Sequence, residues 1–119
     1  LCENSIDLEG IVGFKRHGNY LYRLDMEHLP SGMDEIRGKY GYFYEYYTQD
    51  LNSVAHIVTD KYQTLTYFGI DKAQLLDFVI NNRLRGIDRI VSIGLALDIG
   101  VIWDGYDLVR SLSRIIDCK

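Results

Sequence analysis

Tyr20, Tyr22, Leu24 and Met26 alternate with Leu21, Arg23, Asp25 and Glu27, the period-2 pattern of a half-buried strand. Pro30, Ser31 and Gly32 stop it with turn chemistry. A second alternation sets Tyr40, Tyr42, Tyr44 and Tyr46 against Gly41, Phe43, Glu45 and Tyr47, and predicts a strand antiparallel to the first or near it. From Asp50 the period lengthens. Leu51, Val54, Ala55 and Val58 follow at i, i+3, i+4 and i+7 behind an aspartate able to accept first-turn amides, which predicts an α-helix of about three turns. The β-branched and aromatic run "YQTLTYFGI" returns to strand. In "DKAQLLDFVINNRLRG", Asp71 and Gln74 resemble a capping box, and Arg83, Arg85 and Gly86 supply cations and a terminal glycine, so the whole stretch reads as helix. "IDRIVSIG" is a short apolar run expected of a strand covered on both faces. Strand, helix and strand across 62–93 then form a parallel, right-handed crossover.

"LALDIGVIW" is open between a helical turn and a short strand. The tail places Leu108, Val109, Leu112, Ile115 and Ile116 on one stripe, with Asp104 as cap and Asp107 in the first turn, and predicts a helix packed on the sheet. The fold class expected is α/β in the order β-β-α-β-α-β-α, a mixed sheet with a parallel βαβ crossover. Residues 1–19 are poorly specified, apart from a short strand at "GIVGFKR".

Composition narrows the function classes. The 119 residues, 47% apolar and 25% charged with one proline, suit a single domain spanning 1–119. Thirteen basic residues against seventeen acidic ones give a net charge of -4, the wrong sign for binding phosphate backbones. No apolar run approaches the roughly 20 residues that span a bilayer, and no signal-peptide pattern opens the chain, so a soluble cytoplasmic protein without nucleic-acid or membrane partners is expected. The first residue is Leu1 rather than methionine, as expected of a part excised from a longer protein. Cys2 and Cys118 lie near the termini without ligand spacing.

Six of the chain's fifteen aromatic side chains fall in "KYGYFYEYY", Lys39 to Tyr47. Base stacking by an RNA-recognition strand is the first chemistry this invites. The signature fails: Lys39 stands where its first glycine belongs, Phe43 at the aliphatic position and Glu45 where the last ring belongs. Cross-strand aromatic pairing is the better reading. His17, His28 and His56 are too far apart in sequence to suggest one ion site, and no metal is expected. Asp34-Glu35 and Asp104/Asp107 read better as helix caps than as acid-base pairs. No glycine-rich phosphate loop occurs. "WDGYD" is a sharp polar turn after an apolar run, either an aromatic-plugged cap or a site.

At "KYQTLTYFG", "RGIDRIVSIG" and "WDGYDLVRSLSRII" the chain resembles the C-terminal part of the LuxC-type acyl-CoA reductases, which are similar to aldehyde dehydrogenases. The resemblance covers about residues 37–117. Gln63-Thr64, Arg89-Ile90-Val91 with Gly94, and Asp104-Gly105 before a Leu/Arg helix recur in that order. It implies an aldehyde dehydrogenase-like catalytic-domain segment of an NADPH-dependent enzyme that reduces an acyl-CoA or acyl-protein thioester to a long-chain aldehyde. Tyr40 and Gly41 would border the cofactor, and Gln63, Thr64, Trp103, Asp104 and Gly105 the substrate pocket. Gly38 stands where the superfamily has its ribose-binding glutamate, Tyr42 where it has proline, and Ser92 where many relatives show proline. The nucleophilic cysteine and the dinucleotide-binding half lie upstream of the matched region in that family. The expected partner is therefore the upstream portion of the same enzyme, and this segment alone should bind no cofactor and perform no turnover. Uncovered edges should make it self-associate. The alternative, from another class, is a non-catalytic α/β interaction module that uses the aromatic strand as its partner surface.

Overall fold

The computed structural model describes residues 8–36 and 38–119. It is a small α/β protein of mixed strand direction and few helices, divided into two compact units, Leu1–Ile57 and Val58–Lys119.

The first unit is built on a three-stranded sheet in the order β1-β2-β3, with β1 at Ile11–His17, β2 at Leu21–Met26 and β3 at Tyr42–Tyr46. β1 confirms the strand read at "GIVGFKR" and pairs antiparallel with β2 through a tight loop at 18–20. The alternation of β2 is visible in its burial: Leu24 and Met26 are buried, and Met33 from the following loop joins them. Between β2 and β3 the expectation of antiparallel pairing fails, because the two strands are parallel, Tyr22 opposite Tyr42 and Met26 opposite Tyr46. A parallel partner requires the chain to travel back the length of the strand, and residues 27–41 are long enough for that crossover. Among its described residues the crossover uses turns instead of a helix: the Glu35 amide bonds the Gly32 carbonyl at 2.9 Å and that of Ile36 the Met33 carbonyl at 3.2 Å. Asp34-Glu35 therefore cap no helix among the described residues.

The helix expected from Asp50 is a 3-10 helix, Leu51–Ile57, and Val58 lies beyond it. Asp50 does cap it, accepting the Asn52 amide at 3.0 Å. The tightening has a local cause. Ser53 returns both its amide (3.1 Å) and its hydroxyl (2.7 Å) to the Asp50 carbonyl, which favours i to i+3 bonding, and the His56 ring occupies the Ser53 carbonyl that an α-turn would offer to Ile57.

The second unit contains the predicted parallel crossover: β4 at Thr64–Tyr67, α1 at Lys72–Asn81 and β5 at Arg89–Ser92, with β4 and β5 paired parallel. Asp71 caps α1 by accepting the Ala73 amide at 3.0 Å. Leu75 and Phe78, one turn apart, are its buried positions. The helix ends earlier than the sequence suggests. Asn82 is the C-cap, Arg83 follows with φ 52, and the Arg83 and Leu84 amides bond the Ile80 and Val79 carbonyls at 3.0 Å each. These are the paired bonds of a Schellman motif, so the left-handed position is taken by arginine and Gly86 is not the cap. Gly86 is buried beside Thr59, where a Cβ would collide with the Thr59 carbonyl oxygen. β5 is half-buried at all four positions instead of covered on both faces, because β4 and β5 form a two-stranded sheet of their own.

A hairpin resolves "LALDIGVIW" and "WDGYD". β6 is Ile102–Trp103 and β7 Tyr106–Asp107, antiparallel with Trp103 opposite Tyr106. The two loop residues, Asp104 at φ 47 and Gly105 at φ 79, have the positive φ values of a type I′ turn, for which Asp-Gly is a preferred pair. Asp104 is thus a turn residue and not a helix cap. Asp107 is the cap, accepting the Arg110 amide at 3.0 Å before the short α2, Leu108–Leu112. The terminal helix expected to pack on the sheet does not do so. It buries no residue, it stops at Leu112, and Leu112, Ile115 and Ile116 are exposed.

Candidate functional site

In the second unit, the residues expected to form a substrate pocket gather around Arg89, a member of the family-like motif set that was not itself expected in the pocket. The Gln63 carbonyl accepts the amides of both Asp88 (3.0 Å) and Arg89 (3.1 Å), which locks the start of β4 to the start of β5 and sets Thr64 opposite Arg89. From β5 the Arg89 guanidinium lies over the Trp103 ring, 4.2 Å from its centroid. Its two terminal nitrogens donate to the carbonyls of Ala96 (3.0 Å) and Asp98 (2.9 Å). A planar cation with several fixed donors can hold a loop and an indole face together. The hairpin is closed behind it by the Leu108 amide on the Val101 carbonyl at 2.8 Å. At Gly105 a Cβ would stand 3.0 Å from the Asp88 carboxylate, so this carboxylate borders the turn. Gln63, Thr64, Trp103 and Gly105 are therefore joined through Asp88 and Arg89, and half-buried Asp104 sits at the turn between Trp103 and Gly105. Arg89 was legible as an anomaly: a cation inside the apolar run "IDRIVSIG" needs acceptors from elsewhere.

Tyr40 and Gly41 belong to the first unit, where they form the turn into β3 with φ 55 and φ 85. The Gly41 carbonyl accepts the Tyr22 amide at 2.8 Å. A Cβ at Gly41 would collide with the Tyr20 carbonyl oxygen, and one at Gly38 with that of Tyr42. Both glycines are demanded by chain packing, which accounts for the lack of a glutamate at 38. Tyr40 itself is 81% exposed.

The aromatic strand next to them pairs with its neighbours. The Tyr22 and Tyr42 rings stack with centroids 4.4 Å apart and planes 10° apart, and Phe14 follows at 6.1 Å from Tyr22. With Arg16 also over Tyr22, the ring faces are turned to one another across the strands, which is the cross-strand pairing expected. Burial, with neighbouring Tyr42, holds the Tyr44 phenol above its ordinary range.

The opposite face carries charge. Register puts Lys15 opposite Arg23 and Asp25 opposite Glu45, like against like. The side chains resolve this diagonally, Lys15 to Asp25 at 3.0 Å and Arg23 to Glu45 in a two-point contact at 2.5 and 2.7 Å. The hydrogen bond and charge of Arg23 hold the Glu45 carboxyl below its usual range, and Glu45 in turn raises Arg23.

Among the described residues no three His, Cys, Asp or Glu side chains come together as a metal site, and no helix is long and apolar enough to cross a membrane. Cys118 is free and exposed; Cys2 lies outside the described residues. No protein-family model, no curated protein and no solved structure matches the chain.

Proposed function

We propose that this chain is the C-terminal catalytic-domain segment of an NADPH-dependent acyl-CoA reductase that makes a long-chain aldehyde. The observation that carries the reading is the cluster around Arg89. Gln63-Thr64, Arg89 and Trp103-Asp104-Gly105 are the elements through which the sequence resembles that family. They are far apart in the chain, yet Arg89 and Asp88 link them by backbone bonds, a cation-ring contact and a carboxylate.

In the reaction the resemblance implies, a cysteine upstream of this chain takes the acyl group from the thioester sulfur, expels the thiol, and is released again as the aldehyde leaves. NADPH supplies the hydride when bound. Residues of this chain would shape the acyl side of the pocket: the Trp103 indole as an apolar wall, Arg89 as the group that fixes it, and the Asp104-Gly105 turn as its rim. Tyr40 and Gly41 fit a cofactor contact only in part. The Tyr20 carbonyl closes the Gly41 α-carbon, and the exposed Tyr40 ring is the portion within a ligand's reach. No step is assigned to either.

The test is an NADPH-oxidation assay of the full-length protein with acyl-CoA substrates of graded chain length, beside residues 1–119 alone. Acyl-CoA-dependent oxidation by the full-length protein and none by the segment is expected. Turnover by the segment alone, or none by the full-length protein with any chain length, overturns the proposal. The interaction-module alternative draws on the exposed Tyr40, Phe43 and Tyr47 around β3, and it is favoured by the second outcome.

A further inference from the structure

His56, near the end of the 3-10 helix, places both ring nitrogens against backbone carbonyl oxygens: Nδ1 lies 2.8 Å from that of Ser53, and Nε2 2.9 Å from that of Leu29. A carbonyl oxygen only accepts, and a neutral imidazole has one N–H, so both contacts are hydrogen bonds only when the ring carries two protons. The Ser53 contact is local to the helix. The Leu29 contact reaches the crossover 27–41, ahead of Pro30, on the segment that delivers Tyr40 and Gly41 to β3.

We propose that His56 is a proton-operated clamp, which ties the 3-10 helix to the 27–41 crossover when doubly protonated and slackens that tie when neutral. In the neutral ring a lone pair faces one of the two oxygens, and the repulsion is relieved by letting one carbonyl go. Ser53 is three residues away on the same short helix, whereas Leu29 belongs to a segment without regular structure; the crossover is the side free to move. The charged and titratable groups on these elements are Asp50 at the helix start and, on the described crossover, Glu27, His28, Asp34, Glu35, Lys39 and Tyr40. The Asp50 carboxylate is turned to the amide and side chain of Asn52, and the His28 ring lies beside Gly10. Neither is the partner of His56.

The clamp is tested by amide hydrogen exchange of the 27–36 segment, corrected for intrinsic exchange, on either side of the range in which imidazoles change charge, about pH 5 to 8. Protection in the wild-type chain should fall two- to tenfold from the acidic to the alkaline side, as expected for loss of about one hydrogen bond. His56→Gln keeps a donor but cannot gain a proton. It should remove that difference with the far-UV spectrum unchanged, since the Gln side-chain amide can still donate to the Ser53 carbonyl. His28→Gln should preserve the difference. A wild-type chain without a pH response, a response that survives in His56→Gln, or one that disappears in His28→Gln overturns the proposal.

Discussion

Arg83 occupies the left-handed position after α1 with φ 52, in a motif whose usual occupant is glycine. The penalty for a Cβ there is roughly 1–2 kcal/mol, partly offset by the greater freedom of glycine in the unfolded chain. Arg83→Gly should therefore stabilise the protein by about 0.5–1 kcal/mol, read as a higher denaturant midpoint at unchanged slope. The Arg23–Glu45 pair makes a pH prediction with a definite sign. Because Glu45 titrates below its ordinary range in the folded chain, its stabilisation is present above the unfolded carboxyl value. It is lost as pH falls through the lowered folded value. Wild type should lose its stability advantage over Glu45→Gln on acidification below about pH 4.5, where unfolded glutamates begin to protonate, in thermal melts taken across that range. Neither residue was legible in these roles, since the cap position depends on where a helix stops and the ion pair on which strands lie side by side.

At the scale of elements, the loop between β5 and β6 is held by backbone bonds, Ile93 to Tyr67, Leu95 to Ser92 and Asp98 to Leu95, and by the Arg89 side chain. Its carbonyls at Ala96 and Asp98 accept the guanidinium, while Ile93, Leu95, Leu97, Ile99 and Val101 are exposed. Arg89→Lys keeps the charge but cannot span both carbonyls and cover the indole in one geometry. It should cost about 1–3 kcal/mol, two hydrogen bonds' worth. The checks are a lower melting temperature and a shift in Trp103 fluorescence, the chain's one tryptophan. The β4-α1-β5 crossover and the Asp71 cap were readable because each follows from a local pattern: alternation, a 3.6-residue stripe, an aspartate before the first turn. The 3-10 form of the 51–57 helix was not. It depends on which carbonyls the Ser53 hydroxyl and the His56 ring take, and the residue types alone do not say.

For the whole molecule, the exposed apolar side chains set the expectation. Val109, Leu112, Ile115 and Ile116 in the tail, with Ile93, Leu95, Leu97, Ile99 and Val101, are exposed apolar side chains of the kind that favours association. Sedimentation velocity on a concentration series should show reversible association. Replacing Leu112, Ile115 and Ile116 with serine should weaken it; a single monomeric species at the highest concentration would refute the expectation.

The sequence by itself determined the α/β class, most strand positions, the parallel crossover and the Asp71 cap, because each is written in local patterns; it led to cross-strand aromatic pairing in kind, while strand adjacency chose Phe14, Tyr22 and Tyr42 as the partners. It also brought Gln63, Thr64, Trp103, Asp104 and Gly105 forward as a set through resemblance. Only the tertiary structure decided that β3 runs parallel to β2, that Asp104-Gly105 turns a hairpin, and that the set is joined through Arg89. The physical reason is that those outcomes depend on acceptors and neighbours distant in sequence. A carbonyl at Ala96 or Asp98 carries no mark of the guanidinium it will bind, and a glycine at 41 no mark of the carbonyl that fills its place.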